Sequence, residues 1–125
     1  MQNTHSITMT VTDYQQILAL VQNHPSELSL MLEDELNRAQ IIQDNQLPTD
    51  VVGMNSQVYF LDQETGKESV VTLVYPQDAN IHENKISILT PVGAALIGLR
   101  TGQIIQWPFP NGKDKKIQVL AVHKK

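Results

Sequence analysis

Residues 86–107 read ISILTPVGAALIGLRTGQIIQW, and their pattern decides the fold. From residue 85 to 89 polar and apolar side chains alternate, as in a half-buried strand. Thr90-Pro91 then opens a short helix. The threonine hydroxyl can accept a backbone N–H of the first turn, and proline has no N–H to lose there. Gly98 or Gly102 can close this region, after which 103–107 (QIIQW) returns to strand character. Pro91, Val92, Gly93 and Ala94 give the N-terminal end of the helix a low-relief apolar surface, and Gly93, Ala94 and Ala95 are small enough to pack closely. That surface suits a helix seated on its own sheet as well as one approached by a partner helix, and the residues alone leave both uses open.

Upstream the same β character continues. Residues 56–61 (SQVYFL) and 69–75 (SVVTLVY) are rich in β-branched and aromatic side chains, and Glu64-Thr65-Gly66-Lys67 between them forms a hairpin loop. Downstream, 117–122 gives a last strand after a turn at 108–112 (PFPNG). Before Leu47-Pro48-Thr49 the period is helical. Thr12 is the expected cap of a first helix, with Gln15 as its capping-box partner and Tyr14, Ile17, Leu18 and Val21 on one stripe. Asn23-His24-Pro25 ends it, since the residue before proline is driven out of the helical region. A second helix starts near Ser26, with Glu27 at the positive end of its dipole, and its apolar stripe runs from Leu28 through Met31, Leu32 and Leu36 to Ala39 and Ile42. Asp34 and Arg38 form an i,i+4 pair on it. The expected fold class is α+β: a short N-terminal antiparallel helical hairpin over 1–47, then an antiparallel β-sheet domain with one short helix over 48–125.

Composition narrows the function. With 125 residues the chain can bury a core without staples, and with no cysteine it has neither disulfides nor thiolate metal sites. The four histidines, His5, His24, His82 and His123, lie far apart, so no metal site is expected. The net charge is −4 and the basic residues are scattered, apart from Lys113, Lys115, Lys116 and the terminal His123-Lys124-Lys125. A phosphate-binding face needs contiguous basic charge, so direct nucleic-acid binding is not expected. Nor does any apolar run approach membrane length, which makes a cytoplasmic chain without membrane contact the expectation. There is no nucleophile elbow, P-loop or G-x-G-x-x-G motif, so no catalytic residues, enzyme activity or cofactor are expected.

The segment 86–107 resembles the strand–Ser/Thr-Pro-x-(Gly/Ala)-x-Ala-Leu-x-Gly–helix–Gly–strand signature of the C-terminal domain of Gre-type transcript cleavage factors. The likeness is greater still to a sister family, the regulators of nucleoside diphosphate kinase (Rnk), and extends through Leu36-Asn37-Arg38-Ala39-Gln40, Asp50-Val51-Val52, Met54-Asn55-Ser56 and Thr72-Leu73-Val74-Tyr75-Pro76, over about residues 27–122. The resemblance implies an FKBP-like C-terminal domain that docks on the rim of the secondary channel of bacterial RNA polymerase. The docking residues it implies are Leu89, Thr90, Pro91, Val92 and Ala94, with Ala95 and Leu96 inward and Thr90, Pro91 and Ala94 partly outward. Two departures stand out: Leu89 where cleavage factors can carry an acidic residue, and Gln103 where the family commonly has aspartate.

In the cleavage factors, acidic residues at the hairpin tip help to hold a second Mg²⁺ in the polymerase active centre. Here the tip falls at 22–27 (QNHPSE), where His24, Pro25 and Glu27 stand out and Glu27 is the sole carboxylate. Glu33, Asp34 and Glu35 lie down the second helix and read as a solvated face. The expected function is therefore polymerase docking in competition with Gre factors, without stimulation of transcript cleavage. The alternatives are a compact cleavage-stimulating factor or an adaptor unrelated to polymerase. An FKBP-like domain also raises prolyl isomerisation, but the six aromatic residues are too dispersed to line a proline pocket.

Overall fold

Thr10 begins the first helix. Its backbone is extended, and its hydroxyl accepts the Asp13 N–H at 3.1 Å. Helix α1 thus spans Val11–Asn23, two residues ahead of the start expected from Thr12, because Thr10 and Asp13 form the capping pair. Thr12 instead donates its backbone N–H to Asp44 at 3.1 Å and its hydroxyl to the same carboxylate. The computed structural model describes residues 7–108 and 114–124. All but the first residue of the turn expected at 108–112, together with His5, Lys113 and Lys125, therefore lie outside the described residues.

Helix α2, Glu27–Arg38, starts where expected: Ser26 caps it by accepting the Ser29 N–H at 3.0 Å. It ends four residues short of Ile42. Ala39 is extended, and Gln40–Ile42 forms a strand (β2) paired in parallel with Thr8–Thr10 (β1). The β-branched pair Ile41-Ile42 suits a ladder, and the Gln40 N–H finds the Ile7 carbonyl at 2.9 Å. This two-stranded unit is separate from the main sheet.

The main sheet has five strands: β3 (Gln57–Asp62), β4 (Lys67–Val74), β5 (Lys85–Ser87), β6 (Ile104–Pro108) and β7 (Asp114–His123), in spatial order β5-β4-β3-β7-β6. Gly66 at φ 75° turns the β3–β4 hairpin, as its sequence suggested. The sheet is mixed rather than wholly antiparallel, because β5 runs parallel to β4. The polar stretch between them folds into two single-turn 3-10 segments, Pro76–Asp78 and Ile81–Glu83, followed by Asn84 at φ 57°. That connection carries the chain back beside the C-terminal end of β4, where the Thr72 N–H donates to the Asn84 carbonyl at 2.8 Å. The short helix α3, Pro91–Leu96, lies between β5 and β6.

Strand alternation sends Tyr59 out, at 39% exposure, and Phe60 in, at 8%. The inward face builds one core. Val58, Phe60, Leu73, Leu96, Trp107 and Val119 share it with Ile17, Val21, Leu32 and Leu36 of the two helices. Each large apolar side chain so buried contributes about 1.5–3 kcal/mol. Apolar packing therefore continues across the stretch at 47–49 that reads as a linker. Trp107 is wholly within this core. Among the described residues no helix is long and apolar enough to cross a membrane.

Candidate functional site

The loop 87–90 and α3 form the best-defined surface feature near the implied docking residues. Thr90 is extended and caps α3, its hydroxyl accepting the Gly93 N–H at 3.1 Å while donating to the Ser87 carbonyl at 2.7 Å. Ser87 in turn accepts the Leu89 N–H at 2.9 Å, and the Ile88 N–H reaches the Val74 carbonyl of β4 at 2.9 Å. The N–H groups of Ile88, Leu89 and Thr90 and the Thr90 hydroxyl are thus all bonded within the turn or to β4. Gly93 is required by close approach: a Cβ there would stand 2.3 Å from the Ser87 carbonyl oxygen.

Leu89, Thr90, Pro91 and Val92 are half-buried, so each presents part of its surface. Ala94 does not. It is 2% exposed, which corrects the expectation that it points partly outward: one turn after Thr90 on so short a helix, it faces the core with Ala95 and Leu96. The small residues seat α3 on its own sheet, and the partly exposed edge is 89–92, apolar apart from Thr90.

At the hairpin tip His24, Pro25 and Glu27 are all exposed. His24 Nδ1 lies 2.9 Å from the Leu20 carbonyl, and the Ser29 hydroxyl donates to the His24 carbonyl, so the tip is held from both arms. With 13 and 12 residues, the arms are about 20 and 18 Å long. Asp34 is exposed and pairs with Arg38 at 3.3 Å, as expected. Glu35 is not on a solvated face. It is 4% exposed and bonded to Arg38 at 2.8 Å, because its side of α2 turns towards the protein. Among the described residues no three His, Cys, Asp or Glu side chains are grouped to hold a metal ion.

A third feature brings together residues that no sequence motif connects. Asp13, in the first turn of α1, accepts the Met54 N–H at 3.1 Å and the Tyr75 hydroxyl at 3.3 Å. Burial pushes its carboxyl up from the ordinary value, while those two bonds and the Lys124 ammonium pull it down and Asp44 adds to the rise. Burial also raises the Tyr75 phenol, helped by the neighbouring carboxylate. Lys124 is lowered by burial, and its ammonium donates to the Val51 carbonyl. The motif Thr10-x-x-Asp13, a threonine followed three residues later by an acid, was the available signal for the helix start. Nothing local in the sequence marks Met54 and Tyr75 as partners.

The family model for the C-terminal domain of transcription elongation factor GreA/GreB matches residues 47–124. The chain is 44% identical over 91 residues to the regulator of nucleoside diphosphate kinase of Escherichia coli K12, covering 73% of this chain and 67% of that protein. It is 39% identical over 94 residues to the transcription inhibitor protein Gfh1 of Thermus aquaticus, covering 74% of this chain and 58% of that one. The matched part therefore spans two thirds or less of these relatives. A solved structure of the prokaryotic transcription elongation factor GreA/GreB from Nitrosomonas europaea superposes with a TM-score of 0.77 at 36% identity, over 95% of this chain and 98% of that one. The chain belongs to the GreA/GreB C-terminal family of transcription elongation factors, and within it bears the likeness to regulators of nucleoside diphosphate kinase that its sequence motifs carry.

Proposed function

We propose that the chain is a cytoplasmic transcription regulator that binds bacterial RNA polymerase at the rim of the secondary channel. Docking runs through the β-rich unit, and the protein competes there with Gre factors without stimulating transcript cleavage. The observation that carries the docking half is the edge 89–92: four partly exposed, mostly apolar residues on a turn whose N–H and hydroxyl donors at 88–90 are already bonded. Such an edge can lose its water to a partner helix without stranding those donors. The names of the relatives, a regulator and a transcription inhibitor, are consistent with this reading. The absence of cleavage rests on the tip. A Mg²⁺ ion needs oxygen ligands at about 2.0–2.1 Å, and Glu27 is the one carboxylate within 22–27.

Binding of the purified chain to immobilised RNA polymerase tests the docking half. Pro91→Glu puts a charge where the contact must desolvate and should weaken binding by at least about tenfold, roughly 1.4 kcal/mol. Its melting temperature is measured alongside, so that a lost fold is not read as a lost contact. Equal binding by a folded variant would remove 89–92 from the interface.

A further inference from the structure

The helical hairpin is attached to the β-rich unit in two ways with different geometry. Both of its chain ends lie in the short β1–β2 ladder. The chain enters through Thr8–Thr10 and leaves through Gln40–Ile42. That ladder is itself fastened to the segment just after α3, where the Thr8 N–H donates to the Gly98 carbonyl at 3.1 Å. Gly98 has φ 80°, and a Cβ on it would stand 2.7 Å from Ile7 Cβ, so β1 lies directly on that glycine. A ladder of three residue pairs holding both ends acts as an axis. About it the apolar face of the hairpin packs into the shared core, a contact that holds the hairpin down while leaving directional polar bonds to fix its angle most sharply.

Asp13 is the directional contact off that axis. It lies in the first turn of α1 and reaches two separate parts of the β-rich unit, the Met54 N–H in the loop before β3 and the Tyr75 hydroxyl beyond β4. Lys124, near the end of β7, and Asp44, which holds Thr12, are the charged groups around it. Any other hairpin angle would break both bonds at once and leave a half-buried carboxylate without its donors. We infer that Asp13 is a positioning residue, a lock that selects one angle of the hairpin on the β-rich unit and thereby aims its tip. Its consequence for transcription rests on the polymerase reading; its existence does not.

The test contains no polymerase, so failure of either idea leaves the other standing. The chain has no cysteine, so Gln22→Cys near the tip and Glu68→Cys on β4, both at exposed positions, take spin labels cleanly. Pulsed electron paramagnetic resonance should give a single narrow distance distribution in the otherwise unchanged protein. Asp13→Ala should lose it, giving a broadened or two-peaked distribution. Asp13→Asn should keep it, since the amide oxygen can accept from Met54 and the amide nitrogen can donate to the Tyr75 oxygen. Emission from buried Trp107, the sole tryptophan, verifies that the β-rich unit is folded. Should Asp13→Ala fail to fold, Tyr75→Phe removes one of the two bonds and should still broaden the distribution. A folded Asp13→Ala or Tyr75→Phe protein with the narrow distribution unchanged would overturn the lock.

Discussion

A methyl group placed at Gly93 would collide with a backbone carbonyl that has nowhere to go, since Ser87 is held by the sheet on one side and by Thr90 on the other. Gly93→Ala should therefore destabilise by roughly 3 kcal/mol or more. Gly66→Ala meets open space and costs only the left-handed backbone, about 1 kcal/mol. Urea unfolding of the two variants separates these effects, and equal losses would contradict the close-approach account of α3. Asp13 gives a second prediction at this scale. Its carboxyl is raised in the folded state, so between the unfolded value of 3.8 and the higher folded value the native chain binds more protons. Stability from this group therefore falls as pH rises through that window and is recovered on acidification. Asp13→Asn has no proton to bind. The melting temperature of the unaltered protein minus that of Asp13→Asn should increase from about pH 7 towards about pH 4, and a difference that shrank on acidification would contradict the burial of Asp13.

Among the elements, helix caps were the most legible features. Ser26 and Thr90 sit where their side chains and the following residues place them, and both accept the expected N–H. Helix α3 has six residues, too few to persist without its cap and its sheet, so Thr90→Ala should cost about 1 kcal/mol in chemical unfolding. An unchanged midpoint would mean that the sheet alone holds α3. The start of α1 was misplaced because Thr10 and Thr12 are both good caps, and Asp44, far along the chain, decides between them by taking Thr12. Residues 39–42 carry a helical pattern because Ala39 and Ile42 continue the stripe of α2. Their partner strand, Thr8–Thr10, is distant in sequence, and a three-residue parallel ladder has no local signature. The parallel placement of β5 escaped for the same reason: alternation marks a strand, but its direction depends on the path of the connection before it. At the candidate site, Thr90, Pro91 and the small residues were legible as a capped helix. The inward turn of Ala94 followed only from how that helix lies on the sheet.

On the scale of the whole molecule, one core joins the hairpin to the β-rich unit. A fragment beginning at residue 48 would bare the apolar residues that Ile17, Val21, Leu32 and Leu36 cover, so the docking account is better tested by substitution in the full chain. The proposed function joins two surfaces: in it the edge 89–92 would occupy the polymerase rim, and the tip, with Glu27 as its carboxylate, would supply no catalytic metal site. Two proteins that use one rim cannot be bound together, so the effect must depend on concentration. The most direct measurement is transcript cleavage in backtracked polymerase complexes, with a Gre factor at fixed concentration and this protein titrated in. The account predicts no cleavage above background by the protein alone. It also predicts a progressive loss of Gre-stimulated cleavage with the unaltered chain, and no such loss with folded Pro91→Glu. Acceleration of cleavage by the protein alone, abolished by Glu27→Gln, or an absence of both cleavage and competition, would contradict it.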